Sequence, residues 1–184
     1  MKKFLFVSAA ALLFSYSAKA ADIEVKPLVG LDYVYSYAEY KADNKKALQK
    51  NFNSPALVLG AQLNKYFSVE GLYQQTFNQS KNHEGTKNKS KYRVLGLDAI
   101  GHLPLGCAQK VELLGLVGTG NYRYSAKNAY EKGSDDGWYG RIGGGVQYNV
   151  TDQVAVRAMV KNSWVDVKGL DSVLDATLGV RYSF

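Results

Sequence analysis

The feature that most limits this chain is alternation. From about residue 23 onward, apolar and polar residues exchange places at every step, in eight runs separated by polar connections. A period of two belongs to extended strand, because successive side chains point to opposite faces of a sheet. The last run is clearest. Leu174, Ala176, Leu178, Val180, Tyr182 and Phe184 share one face, against Asp175, Thr177, Gly179, Arg181 and Ser183 on the other. In the seventh run Val154, Val156, Ala158, Val160 and Trp164 oppose Arg157, Lys161 and Ser163. In the sixth, Ile142, Val146, Tyr148 and Val150 oppose Tyr139, Arg141, Gln147 and Asn149.

Five earlier runs follow the same rule. The first covers residues 23–37, with Val25, Val29, Leu31, Tyr33, Tyr35 and Tyr37 opposite Glu24, Lys26, Asp32 and Ser36. The second, 56–65, puts Leu57, Leu59, Ala61 and Leu63 on one side. The third, 67–77, sets Val69, Tyr73 and Phe77 against Glu70, Gln74 and Thr76. The fourth, 92–103, sets Leu95, Leu97 and Ala99 against Asp98. The fifth, 110–124, sets Val111, Leu113 and Val117 against Glu112. There Leu114 and Leu116 fall on the charged face, so the run either carries a bulge at Gly115, Gly118 or Gly120 or is buried on both faces.

Eight strands in an open sheet would leave unpaired edges, and closure removes them. The connections alternate in length: 38–55 long, 64–68 short, 78–91 long, 104–109 short, 125–137 long, 151–153 short, 166–172 intermediate. Long loops at one end and tight turns at the other mark a closed, antiparallel, up-and-down, eight-stranded transmembrane β-barrel. The alternative eight-stranded barrel is soluble, with its apolar face inward. Such a barrel has only enough interior for side chains to fill it. It could not hold Tyr33, Tyr73, Tyr148, Trp164, Tyr182 and Phe184 together, so the charged face is the lumen. Tyr66, Phe67, Tyr148, Tyr182 and Phe184 gather at the turn end, and Tyr35, Tyr37, Phe77, Trp138 and Trp164 at the loop end, as two interfacial girdles.

The first twenty residues are read separately. Lys2 and Lys3 precede an apolar stretch, Phe4–Phe14, too short to span a bilayer, and Ala18-Lys19-Ala20 supplies small residues for a signal peptidase. The expected division is a cleaved signal peptide, 1–20, and a barrel domain, 21–184. The chain is then exported to the outer membrane. Removing Lys2, Lys3 and Lys19 lowers the formal charge from +7 to +4, which argues weakly for nucleic acid, so none is expected as partner. One cysteine, Cys107, excludes an intramolecular disulfide, and with only two histidines no metal centre or cofactor is expected.

The segments LGAQLNKYFSVEGLY (59–73), LDAIGHLPL (97–105), GGGVQYNVTDQVAVRAMV (143–160) and LGVRYSF (178–184) resemble the OmpA-like small outer-membrane barrels of Gram-negative bacteria. The resemblance covers the barrel only, without the peptidoglycan-binding domain the family often carries. It implies that Glu70 and Arg157 belong to a lumenal ion-pair network, altered where Gln147 stands at a position the family fills with an acid. It also implies that the ending, with Tyr182 and Phe184, is a signal to the barrel-assembly machinery.

The expected lumenal charges are Glu24, Asp32, Glu70, Asp98, Glu112 and Asp175 against Lys26, Arg141, Arg157, Lys161 and Arg181, nearly balanced and so readable as structural pairs. Nothing selects two of the carboxylates as a catalytic site, and His83 near Ser80 and Ser90 forms no recognisable motif. Gly143-Gly144-Gly145 lies within a strand, where it serves close packing rather than phosphate binding. Lys45, Lys46, Lys50, Lys87, Lys89 and Lys91 crowd the first two long loops, among Lys41 and Lys81, and are candidates for contact with lipopolysaccharide or another anionic surface. The expected function is a non-enzymatic envelope barrel with surface contacts, including a possible host ligand. The alternatives are a narrow solute channel and an adhesin working through its loops.

Overall fold

The computed structural model describes residues 25–40, 51–76, 79–83, 86–106, 110–127, 132–167 and 170–184. The proposed signal segment, Glu24, Lys45, Lys46, Lys50, Phe77 and Cys107 lie outside them. The elements are β1 (Lys26–Tyr40), β2 (Asn51–Asn64), β3 (Phe67–Gln75), β4 (Gln79–His83), β5 (Thr86–Leu105), β6 (Val111–Lys127), β7 (Lys132–Asn149), β8 (Val154–Val167) and β9 (Leu170–Ser183). Each neighbour pairs antiparallel, and β9 returns to β1. Both β3 and β4 pair with β5, so together they form one of eight walls of a closed barrel. Closure leaves no ladder of open backbone groups facing lipid.

The stagger follows from the register. Partners traced from Pro104 run through Glu112, Gln147, Arg157, Gly179, Asp32, Ala56 and Gln74, and return to β5 at Val94, ten residues along the same strand. Such a shear tilts the strands and keeps the lumen narrow enough for side chains to fill.

The turns explain themselves locally. Asn64 Oδ1 accepts from the N–H groups of Tyr66 (2.8 Å) and Phe67 (2.9 Å), closing β2 onto β3. Thr151 Oγ1 accepts from Val154 N (2.9 Å) before β8. Gly106, after β5, has φ +71°, a conformation that favours glycine.

The faces agree with the alternation. Leu31, Tyr33, Leu59, Leu95, Leu97, Val117, Ile142, Val160, Leu178 and Phe184 are exposed, while Asp32, Glu70, Asp98, Arg141, Arg157 and Arg181 are buried. Tyr33, Tyr73, Tyr148, Trp164, Tyr182 and Phe184, too bulky to share the lumen, all lie outside.

Four expectations need correction. The expected loops 78–91 and 125–137 are largely strand: β4 and β5 pair through Gln79–Ser90, and β6 and β7 pair up to Lys127 and Lys132. Lys87, Lys89 and Lys91 are therefore strand residues. Likewise β2 begins at Asn51, and β8 and β9 run to Val167 and from Leu170. Beyond the bilayer both faces of a sheet are wet, so alternation fades while the hydrogen-bond ladder continues. No bulge interrupts β6: its register with β5 and β7 is continuous, and Leu114 and Leu116 point inward. Finally, Lys26 keeps the inward parity of Leu28 and Asp32 but is exposed at the turn-end rim rather than enclosed with the other charges.

Candidate functional site

The lumen is crossed by a chain of polar contacts near the turn end. Arg157 Nη1 donates to Glu70 Oε1 (2.8 Å), and Arg181 Nη2 donates to Glu70 Oε2 (3.2 Å) and to Asp32 Oδ2 (3.0 Å). Arg157 Nε and Nη2 also donate to Gln147 Oε1 (3.0 and 2.8 Å). Gln147 Nε2 donates onward to Glu112 Oε2 (3.2 Å), and Asn149 Nδ2 to Glu112 Oε1 (2.7 Å). Gln147, where the resemblance implied an acid, uses its amide to accept from an arginine and donate to a glutamate.

Glu112 is also held by His102, whose Nδ1 lies 2.8 Å from Oε2, and His102 Nε2 lies 2.9 Å from Ser68 Oγ. A carboxylate only accepts, so Nδ1 is the donor. The order Ser–His–Glu is that of a nucleophile relay. Here, however, Ser68 is 1% exposed, and the Glu112 carboxylate is shared with Gln147 and Asn149. The three residues extend the structural network. His102 escaped the sequence reading, although it sits on the same strand face as Asp98.

A second bridge lies further along. Arg141 Nε donates to Asp98 Oδ1 (2.7 Å), and its Nη2 to Oδ2. Gly118 stands between them, the direct partner of both, so the two side chains meet across a residue with no Cβ. Glycines recur at this duty. Glu70 faces Gly60, Arg181 faces Gly30, Lys161 faces Gly143, and Gly179 separates Asp32 from Arg157.

Two candidate charges behave differently. Lys161 and Asp175 are direct partners across β8 and β9, both buried, yet Lys161 forms no ion pair within 4.0 Å among the described residues. Asp175 accepts from Ser36, while its Oδ1 has no hydrogen-bond partner among the described residues.

The lumen also contains apolar matter that the alternation does not distinguish. Towards the loop end Ala38, Phe52, Val94, Tyr122, Tyr139, Val165 and Val173 are buried in one cluster. Tyr122 and Tyr139 pack edge to face with ring centres 5.4 Å apart. A second cluster joins Ile100, Leu114, Leu116 and Met159. Among the described residues no group of three or more His, Cys, Asp or Glu is placed to hold a metal ion.

Outside, the girdle residues Tyr35, Tyr37, Trp138 and Trp164 are exposed at the loop end, and Tyr66, Phe67, Tyr148, Tyr182 and Phe184 at the turn end. Tyr182 and Phe184 pack edge to face at 5.0 Å, and Phe184 N donates to Pro27 O (3.0 Å). Beyond Trp138, Arg123 Nε and Nη2 donate to the two oxygens of Asp136 (2.8 and 2.9 Å). These bonds hold the Asp136 carboxyl below the usual carboxylate range.

With this geometry in place, comparisons are informative. The model of the outer membrane protein beta-barrel domain family matches residues 6–184. No curated protein sequence matches. Among solved structures, Neisserial surface protein A aligns with TM-score 0.65 at 16% identity, covering 87% of this chain and 97% of that one. The attachment invasion locus protein Ail of Yersinia pestis, in complex with the heparin analogue sucrose octasulfate, aligns with TM-score 0.57 at 21% identity, covering 89% and 100%. The N-terminal barrel of Pseudomonas aeruginosa OprF aligns with TM-score 0.52 at 18% identity, covering 85% and 97%. At these identities the likeness is one of fold.

Proposed function

The chain belongs to the outer membrane protein β-barrel domain family, and from that premise we propose a non-enzymatic envelope protein with a closed lumen, working through its outer surfaces. The observation that carries this reading is a lumen obstructed twice in series. The Arg157–Glu70–Arg181–Asp32 network crosses it near the turn end, and the Phe52, Tyr122 and Tyr139 cluster fills it near the loop end. In this reading residues 1–20 direct export and are removed after Ala20. The turn end then faces the periplasm, Tyr182 and Phe184 address the barrel-assembly machinery, and the basic loop end meets lipopolysaccharide. A loop-end contact with an anionic host glycan is the second reading, favoured by the same basic residues and by a shared fold with Ail, which was crystallised with a heparin analogue.

Conductance across planar bilayers separates this reading from a solute channel. Wild type is expected to conduct little or nothing. Arg157→Ala or Glu70→Ala alone should change that only slightly, because the apolar cluster remains. Adding Tyr122→Ala should open the path. A large, steady wild-type conductance, unchanged by these substitutions, would overturn the closed-lumen reading.

A further inference from the structure

We propose that the outer face of β5, β6 and β7, beyond the apolar band, docks the anionic phosphate groups of surrounding lipid headgroups. The proposal rests on the outer-membrane reading above and gives its surface contact a place and a chemistry. It follows from register. Cross-strand partners share a face of the sheet, and every second residue returns to that face. One lipid-side row holds Leu95, Asn121 and Trp138, with Leu95 and Trp138 among the most exposed apolar residues of the barrel. The next row towards the loop end holds Arg93, Arg123 and Asp136. The row after that has Lys91 and two serines at its register positions, and the following one has Lys89, Lys127 and Lys132. The face thus changes from apolar to basic within one step.

Its charge is not balanced from within. Asp136 is the acid of these three rows, and both its oxygens are taken by Arg123. Arg93, exposed and directly opposite Arg123, forms no ion pair among the described residues. Like charges at directly opposed register positions destabilise a sheet, so Arg93 opposite Arg123 calls for anions from outside, and the lysine positions of the third row add to the same face. Their source is indicated by continuity. The basic rows occupy the same face as the lipid-facing residues and begin about 7 Å along the strand from Trp138. Tryptophan marks the interface between hydrocarbon and headgroup, which is where headgroup phosphates lie. Lysine meets such phosphates as a point charge.

The test uses the folded protein in phosphatidylcholine vesicles, alone or with lipid A that carries or lacks its phosphate groups, and reads the urea midpoint of unfolding. The midpoint should rise with phosphorylated lipid A and not with the dephosphorylated form, and the rise should shrink as salt is added. Lys89→Gln/Lys127→Gln/Lys132→Gln should lose most of the rise, whereas Lys110→Gln, exposed at the turn end, should keep it. If the triple row variant does not fold, Arg93→Gln alone should give a smaller loss in the same direction. A rise that survives the row substitutions, or appears equally with dephosphorylated lipid A, overturns the proposal. So does an equal rise caused by a soluble sulfated oligosaccharide in phosphatidylcholine vesicles, which would make the surface a glycan site. Bilayer conductance tests the closed lumen separately, so either idea can fail without the other.

Discussion

Glu70 and Asp98 are direct partners across β3 and β5, two buried carboxylates side by side, and each is answered by different guanidinium groups. Glu70 takes Arg157 and Arg181, while Asp98 takes Arg141. Like charges opposite one another destabilise a sheet unless both are compensated. The arrangement therefore makes the arginines mutually necessary.

Arg141→Ala should strand Asp98 beside Glu70 and cost about 3–5 kcal/mol, the usual penalty for an unpaired buried charge. Asp98→Asn in the same chain should recover part of that loss, because the repulsion from Glu70 disappears with the charge. Urea unfolding in lipid vesicles reads both. Equal stability of Arg141→Ala and wild type would show that Asp98 does not depend on Arg141.

Gly118→Ala should cost roughly 1–3 kcal/mol by overpacking. A Cβ there would meet the Asp98 carboxylate and the Leu97 carbonyl, disturbing the bridge that spans it. Gly140 is the control, since nothing lies within 4 Å of its added Cβ. Gly140→Ala should be neutral or gain about 0.4–1 kcal/mol from a stiffer unfolded chain. Indistinguishable midpoints for the two variants would remove the space argument.

On the lipid face, depth should decide the cost of a charge. Val160 is at mid-strand in β8, whereas Val156 lies two residues from the start of β8 and opposite the girdle residue Tyr148. Val160→Arg should cost about 2–4 kcal/mol, and Val156→Arg nearer 0–1 kcal/mol, as arginine reaches the interface. The reverse order in vesicle unfolding would mean the membrane band is misplaced along the barrel.

Deleting Phe184 should lower surface levels in cells more than it lowers folding yield in detergent. Its ring contact with Tyr182 and its single backbone bond to Pro27 are a small share of the β1–β9 seam. Quantitative surface labelling against detergent refolding yield checks this, and normal surface levels would count against an assembly role.

The eight walls and their two faces were legible because lipid demands an apolar residue at every second position, which leaves a strong mark on composition. Strand ends were not, since Thr86–Lys91 is polar on both faces and Ser125–Lys127 offers only Ala126 between polar residues, so both look like loop. Leu114 and Leu116 were ambiguous because hydrophobicity does not tell a lipid contact from an internal plug. The charged residues were identified individually, but their partners depend on side-chain reach as well as register. Lys161 faces Asp175 without bridging it, whereas Arg157 reaches Glu70 on a strand that is not its neighbour. His102 carried a signal in its parity with Asp98, but its tie to Glu112 emerges only once β5 and β6 are aligned.

The seam between β1 and β9 pairs Leu28 with Ser183, residues far apart in sequence. Every other wall is a neighbour in sequence, apart from the short interruption at β4, and can zip locally. This one cannot begin until β9 has been made. Because loop-closure entropy must be met before the distant pairing rewards it, closure is expected to be the slow step of folding. A partly formed barrel would meanwhile present two unsatisfied edges that hydrocarbon does not tolerate. The folding barrier thus becomes a timing problem: insertion and closure must advance together, with the open edge of β1 waiting until β9 arrives to cover it.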